Sequence, residues 1–303
     1  MRTILPRLCL LLSMCLLSQW ASAHSPLLNT QPSLASDASL PASNAVNDKA
    51  RSSNTKEGAI THISLAAEDS WPPFANQFGQ GLSHQLIQAA FAKAEIEVDS
   101  IVVPYTRALM MAEKGDVDGA FNVTRQHSTE NRFVFGTKPL FTAYASFYHK
   151  HTRPLNADSK WELPPKTRIG LIQGYEYGDE LDTLIQEKQF EVMRVASQNQ
   201  LINLLLIDRI DTAIMFDIVA NDYLNAMGVE KEVEAAFHNH SSDIYLAFSK
   251  VRPNAVALAT LLDRGLNAIQ ASGEYQALMA KAMPVKPPMT ATSHAQTGSE
   301  NAR

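Results

Sequence analysis

Two stretches of this chain repeat the same succession of short elements, and this repetition limits the folds open to it. The first predicts strand, helix, strand, short helix and strand, at His62 to Ala67, Leu82 to Ala94, Ile96 to Val103, Thr106 to Lys114 and Gly119 to Val123. In the longer helix, apolar residues recur every third or fourth position, which is typical of a helix facing a core.

The second stretch predicts the same order, at Arg168 to Ile172, Asp179 to Lys188, Glu191 to Val195, Gln198 to Ile207 and Thr212 to Phe216. The two stretches also end in similar sequences, at residues 115–121 and 208–214. Strand-helix-strand units build mostly parallel sheets with helices on both faces. The repetition therefore predicts two α/β lobes.

The chain continues with a predicted strand at Ile244 to Ser249 and helices at Asn254 to Ser272 and Glu274 to Met283. We expect these elements to return to the first lobe, so that strands near Ala145 to His149 and near Phe237 to Asp243 cross between the lobes. Two such crossings form a hinge, and the crevice beside them is the expected ligand site.

Short motifs along residues 60–283 together resemble the bacterial periplasmic solute-binding proteins of family 3, the polar amino-acid-binding type associated with ABC importers. The motifs are Trp71–Phe74, Gly79–Gly81, Val103–Leu109, Gly115–Gly119, Pro139–Leu140, Gly174–Gly178, Asp211–Asp217, Tyr245–Lys250 and Gly273–Tyr275. The resemblance implies the two-lobed periplasmic-binding-protein fold of type II, two βαβ-built lobes joined by a two-strand hinge. Lobe 1 is expected in residues 60–148 plus 243–283, and lobe 2 in residues 149–242.

The resemblance also implies a function and partners. Such a protein captures a small polar, amino-acid-like solute between two closing lobes, for an ABC permease or for a membrane sensor. In members that bind amino acids, an arginine after the third strand of lobe 1 holds the α-carboxylate, and Asp217 matches the aspartate of lobe 2 that takes the α-ammonium. The arginine role falls to Arg125 or Arg132. Because the sequence does not match the family's arginine pattern at a single residue, amino acids, small carboxylates, amines and peptides all remain open as ligands.

Aromatic and polar residues that follow the predicted strands are further candidates for ligand contact. Trp71 and Phe74 lie in a proline-rich loop after the first strand, and Tyr175 lies in the equivalent loop of the second unit. Aromatic rings there form an apolar wall against a ligand or pack onto the core. Asn122 and Thr124, just past the third strand, supply hydrogen bonds to a ligand or form a turn.

For two charged candidates, a purely structural role is the alternative to ligand binding. Arg107 lies in the first turn of a helix, where a cation opposes the helix dipole, so a carboxylate or phosphate ligand would explain its position. The alternative is a surface arginine that is paired with Glu113 or solvated. Asp217 binds the ligand, or caps the helix that follows it.

An enzyme on the same scaffold, a lyase of the cyclohexadienyl dehydratase kind, is the main alternative function. Glu68, Asp69 and Glu176 lie near the predicted cleft and are candidates for acid-base chemistry. The sequence contains no recognisable nucleophile arrangement and no phosphate-binding glycine motif. We therefore expect a binding protein without catalytic residues or a cofactor.

Four histidines lie at the two predicted crossings. They are His149, His151, His238 and His240. Imidazole is a common metal ligand and titrates near neutral pH, so the group is either a metal site, a pH-sensitive hinge, or a set of exposed linker residues. We favour exposed linker residues and expect no metal.

The start of the chain predicts a secretory signal peptide at residues 1–23. Arg2 and Arg7 form a basic start, Leu8 to Leu17 is an apolar run, and small residues precede a cleavage point after Ala23. The predicted location is the periplasm. A lipoprotein modified at Cys15 is the alternative.

Composition limits the disulfides, the binding partners and the folded extent expected of the exported protein. Cys9 and Cys15 lie in the removed segment, so no disulfide is expected. Without Arg2 and Arg7 the chain has 24 basic and 31 acidic residues, a formal charge of −7, which disfavours nucleic-acid binding. Residues 24–59 and 284–303 lack a hydrophobic period and predict a flexible leader and a disordered tail. We expect a monomer that spans no membrane.

Overall fold

The computed structural model describes residues 60–283. The strands are β1 (His62–Glu68), β2 (Ser70–Trp71), β3 (Ala75–Asn76), β4 (Glu97–Val103), β5 (Gly119–Thr124), β6 (Phe133–Phe135), β7 (Phe141–Lys150), β8 (Arg168–Ile172), β9 (Glu191–Val195), β10 (Thr212–Phe216) and β11 (Val233–Ser249). The helices are α1 (Leu82–Ala92), α2 (Tyr105–Lys114), α3 (His127–Glu130), α4 (Asp179–Lys188), α5 (Gln198–Leu206), α6 (Asp217–Met227), α7 (Ala255–Ala271) and α8 (Glu274–Ala282).

The predicted signal peptide, leader and tail lie outside the described residues. Within residues 60–283, no helix is both long and apolar enough to cross a membrane.

The strands form one mixed sheet in the order β4-β1-β5-β11-β7-β10-β8-β9, with β6 also paired to β11. Strands β4, β1 and β5 run parallel, and so do β9, β8 and β10. The two parallel groups are the two predicted strand-helix-strand units, and antiparallel β7 and β11 lie between them. The sheet therefore has two α/β halves joined through two strands.

The joining strands are longer than the sequence predicts. Strand β11 has 17 residues and includes both segments that we predicted separately, near Phe237 to Asp243 and at Ile244 to Ser249. Its pairing with β7 shifts register between Ala235 and Phe237 and again between His238 and His240. Such bulges interrupt the two-residue alternation that identifies a strand, which explains why the sequence showed only its parts.

Helices α1 and α7 pack together over the first half of the sheet. The buried face of α1 contains Leu82, Leu86, Ile87, Ala90 and Phe91. They are the apolar residues that recur every third or fourth position in the predicted helix, except that the last of these, Ala94, lies beyond the end of α1. The start of α1 is bonded to the loop that follows β1, because the backbone N–H groups of Leu82 and Ser83 donate to the carbonyl oxygens of Pro73 and Phe74.

Candidate functional site

A small cavity lies where the carboxyl ends of the parallel strands of both halves meet, the usual ligand position in open α/β sheets. Residues at or just after the ends of β1, β4, β5, β8 and β10 line it: Glu68, Trp71, Tyr105, Asn122, Thr124, Tyr175, Glu176 and Phe216. We call this the central cavity. Its volume of about 10 Å³ is enough for about one water molecule, so the two halves are closed upon each other.

Two tyrosine-carboxyl hydrogen bonds close the cavity. The Tyr175 hydroxyl, from the second half, donates to Glu68 of the first half. Conversely, the Tyr105 hydroxyl of the first half donates to Oε2 of Glu176 in the second, over 2.6 Å. Each half therefore supplies one donor and one acceptor to the other.

Burial makes both carboxyl groups weaker acids than an ordinary glutamate. Glu68 is 1% exposed; burial raises its pKa to about 8, although the hydrogen bond from Tyr175 opposes the rise. The negative charges of Asp69 and Glu176 add to it. Burial likewise raises the pKa of Glu176 to about 7, against the hydrogen bond from Tyr105. Both groups change charge near neutral pH.

A backbone irregularity directs Asn122 into the cavity. Asn122 has a φ of 67°, in the left-handed region, and the pairing of β5 with β11 skips it between Val123 and Phe121. It is therefore the extra residue of a bulge, a feature that often re-aims a side chain next to a binding site. The Ser83 hydroxyl on α1 donates to its Oδ1 over 2.5 Å and fixes its orientation.

Trp71 supplies an aromatic wall, and Phe74 lies behind it. The Trp71 ring meets the Phe216 ring edge-on at 5.1 Å, while Phe74 stacks on Phe141 at 4.2 Å. Trp71 lines the central cavity and Phe74 does not. Among the described residues, no group accepts a hydrogen bond from Nε1 of Trp71.

The candidate arginines do not reach the central cavity. Arg125 forms an ion pair with Glu130 at 2.7 Å. Arg132 binds Glu113 through two hydrogen bonds of 3.0 Å. Arg107 is exposed on α2, and the expected alternative partner of Arg107, Glu113, is taken by Arg132.

Asp217 also lies outside the lining of the central cavity. Its Oδ1 accepts a hydrogen bond from the Tyr148 hydroxyl at 3.0 Å. The alternative role as helix cap is wrong, because Asp217 is the first residue of α6 and Phe216 occupies the cap position.

The four histidines are not all exposed linker residues as expected, because His149 is buried within β7, and they lie in two separate groups. His149 and His151 face Glu234, at 3.6 and 3.2 Å. His240 lies near the Phe216 ring, and burial lowers its pKa to about 4, while His238 lies beside Tyr144. In the described part of the chain, no group of three or more histidine, cysteine, aspartate or glutamate side chains is placed to hold a metal ion.

Four predicted residues thus line the central cavity: Trp71, Asn122, Thr124 and Tyr175. The sequence analysis missed Tyr105 and Phe216, and it considered Glu68 and Glu176 only for catalysis. Their common signal is position, since each lies at or just beyond the carboxyl end of a parallel strand. That rule would have found all four.

Comparison with known families gives one match. A family model described as bacterial extracellular solute-binding proteins, family 3, matches residues 63–284. A comparison with curated protein sequences gave no significant match.

Solved structures share the fold. An ancestral arginine-binding protein bound to arginine has a TM-score of 0.65 at 16% identity, over 75% of this chain and 100% of that chain. An amino acid ABC transporter substrate-binding protein from Streptococcus pneumoniae, bound to L-arginine, has a TM-score of 0.61 at 19% identity, over 73% and 94%. An ancestral amino-acid-binding protein, a precursor of cyclohexadienyl dehydratase, has a TM-score of 0.60 at 15% identity, over 73% and 95%. The two-lobed type II fold predicted from the sequence is confirmed.

Proposed function

The chain belongs to family 3 of the bacterial extracellular solute-binding proteins, and from this premise we propose that it captures a small polar, amino-acid-like solute in the central cavity. The lobes open to admit the solute, close around it, and present it to an ABC permease or a membrane sensor. We place lobe 1 in residues 60–148 and 243–283 and lobe 2 in residues 149–242. The protein acts in the periplasm as a monomer, after cleavage of its signal peptide behind Ala23.

The observation that carries this proposal is that both lobes line the same cavity and bond to each other across it. Micromolar affinity needs about 8 kcal/mol. For a ligand of roughly ten heavy atoms, that is ~0.8 kcal/mol per atom, which requires contact on nearly every side. The closed cavity of about 10 Å³ is too small for such a ligand, so the lobes part to admit it, and Glu68 and Tyr105 on one side and Tyr175 and Glu176 on the other then contact it from both lobes.

Thermal unfolding with a panel of amino acids, amines, small carboxylates and short peptides tests the proposal. A bound solute at about 100 times its dissociation constant adds about 2.7 kcal/mol to the free energy of unfolding. We expect one class to do so, and Asn122→Ala to remove most of the effect because Asn122 lines the cavity. Glu187→Gln, on the exposed surface of α4, is the control and should behave like the wild type.

Two further variants test charged candidates from the sequence analysis, Asp217, which the resemblance implies, and Arg107, which its place in the first turn of a helix suggests. If Asp217→Ala and Arg107→Ala abolish the stabilisation while Asn122→Ala does not, the site lies with the charged residues and not with the central cavity. If no solute stabilises the protein, the proposed function is wrong.

A lyase is the second candidate function, and one observation favours it. Glu68 and Glu176 line a closed cavity with pKa values of about 8 and about 7, the range in which a carboxyl group serves as acid and base at neutral pH. Incubation with prephenate or arogenate separates the two functions. A binding protein returns the compound unchanged, whereas turnover that is lost in Glu68→Gln would establish an enzyme.

A further inference from the structure

The two tyrosine-carboxyl hydrogen bonds across the central cavity use the same side chains that a solute would contact. Tyr175 donates to Glu68, and Tyr105 donates to Glu176. All four side chains line the cavity. Because each lobe gives one donor and one acceptor, the polar groups of the two lobes satisfy each other and need no third partner in order to close.

Aromatic contacts between the lobes add to this closure. The rings of Tyr105 and Tyr175 meet edge-on, with 5.1 Å between their centroids. The rings of Trp71 and Phe216 meet edge-on at the same distance. In each pair one ring comes from each lobe, and edge-on pairs at this separation are favourable.

Further hydrogen bonds across the cleft are longer than the 2.6 Å between Tyr105 and Glu176. Gln126 and His127 bond to residues at the start of α4 over 3.3 Å. The Tyr223 hydroxyl donates to the carbonyl oxygen of Ser70 over 3.3 Å. Hydrogen bonds of this length are weaker than short ones, so the two tyrosine-carboxyl bonds are the stronger polar link at the cleft.

A solute cannot occupy the central cavity while these two bonds exist. The closed cavity has a volume of about 10 Å³, which is enough for about one water molecule. A solute must therefore separate Tyr175 from Glu68 and Tyr105 from Glu176 before it contacts them. Binding then competes with the contact between the lobes, and the apparent affinity is reduced by the fraction of molecules that are open.

We propose that the two tyrosine-carboxyl bonds form an autoinhibitory latch, which closes the lobes on each other when no solute is bound. In the latched form the side chains that would contact a solute are bonded to each other, so only the open molecules bind. This inference rests on the lobe opening of the proposed function but on no particular solute, and it describes the protein before a solute arrives.

The distance between the lobes in solute-free protein tests the latch. The exported protein is unfolded in urea and refolded at pH 7 to remove bound solute. Spin labels at Lys114→Cys on α2 and Gln186→Cys on α4, both exposed positions, report the distance by electron paramagnetic resonance. Both natural cysteines precede the predicted cleavage point, so no other thiol is labelled. The wild type should be mainly closed.

Phenylalanine variants remove the latch and keep the rings. Tyr105→Phe and Tyr175→Phe each leave a carboxyl group without its donor in the closed form, which is unfavourable. The double variant should be mainly open, with a ratio of closed to open molecules at least about a hundred-fold lower, or about ten-fold for each bond. Tyr275→Phe removes a hydroxyl that is bonded to Leu140 within lobe 1, and this control should remain as closed as the wild type.

Quenching of Trp71 fluorescence by acrylamide gives a second measurement. Trp71 is 2% exposed and lies against Phe216 of the other lobe, so opening should increase its quenching. Trp161→Phe leaves Trp71 as the only tryptophan of the exported protein. Should the double variant not fold, the two single variants are compared with Tyr275→Phe by both measurements, and each should be more open.

The outcomes separate the latch from the function. If the wild type is mainly open without solute, or if the tyrosine variants are as closed as Tyr275→Phe, the latch is overturned. Neither result bears on solute binding, because no solute is present. Conversely, failure of every solute in the thermal panel would overturn the proposed function and leave the measured closure as it is.

Discussion

Between pH 6.5 and 8.5, the free energy of unfolding of the ligand-free protein should fall, and Glu68→Gln should remove most of that fall. The pKa of Glu68 is about 8 in the folded protein, against an ordinary value of 4.5. Between these two values the folded state holds one more proton than the unfolded chain. Stability therefore falls as pH rises, by about 1.4 kcal/mol per pH unit for each proton, or ~2 kcal/mol from pH 6.5 to 8. The contribution of Glu68 is complete below pH 4.5 and is lost as pH rises through 8.

Two histidines oppose this fall only weakly in the chosen pH window. Burial lowers the pKa of His84 and of His240 to about 4, so the unfolded chain holds the additional proton between pH 4 and 6.5. Stability from these residues therefore rises with pH mainly below 6.5, and by only about 0.4 kcal/mol per histidine above it. Six other titratable groups are coupled to Glu68, in that one group shifts the pKa of the other. They are Asp69, Tyr105, Tyr175, Glu176, Tyr177 and Tyr223.

Urea denaturation at pH 6.5, 7.5 and 8.5 measures this dependence. Glu176, with a pKa of about 7, adds to the wild-type slope in the lower part of the window and remains in the variant. Glu187→Gln should keep the full wild-type slope. An equal slope in Glu68→Gln and the wild type would mean that Glu68 is not the group that releases the proton.

Replacing Gly265 by alanine should destabilise the protein by about 3 kcal/mol, in the upper part of the range for an overpacked core. Gly265 lies on the face of α7 that contacts α1, and an added Cβ would fall 2.1 Å from the carbonyl oxygen of Ala90. Because that atom belongs to a helix backbone, the two helices must move apart. The better helix propensity of alanine, about 1 kcal/mol, offsets only part of this cost.

The same displacement should reach the candidate site. Helix α1 carries Ser83, whose hydroxyl holds Asn122 in place, so Gly265→Ala should also weaken solute binding. Thr260→Ala on the exposed face of α7 is the control and should change stability by less than about 0.5 kcal/mol. Denaturation midpoints of the wild type, Gly265→Ala and Thr260→Ala measure these changes in stability. A Gly265→Ala protein as stable as the wild type would show that the helices are not in such close contact.

Local sequence patterns determined most of the elements and their order. The predicted bounds of β8, α4, β9 and β10 match the structure residue for residue, and those of α1, α2 and α7 differ by at most two residues at either end. Helical and strand periodicities are properties of neighbouring residues, so they are readable before the chain folds. The repeated units also predicted the two parallel groups of strands.

Tertiary structure alone decided which side chains form the candidate site. Glu68 and Tyr175 lie 107 positions apart, and no local pattern relates them. The sequence also placed Asp217, and either Arg125 or Arg132, among the candidates, but in the folded chain these residues bind other side chains and do not line the central cavity. Periodicity reports which face of an element is buried, whereas the partners across a cleft depend on how two lobes meet. That depends on contacts between residues far apart in the chain.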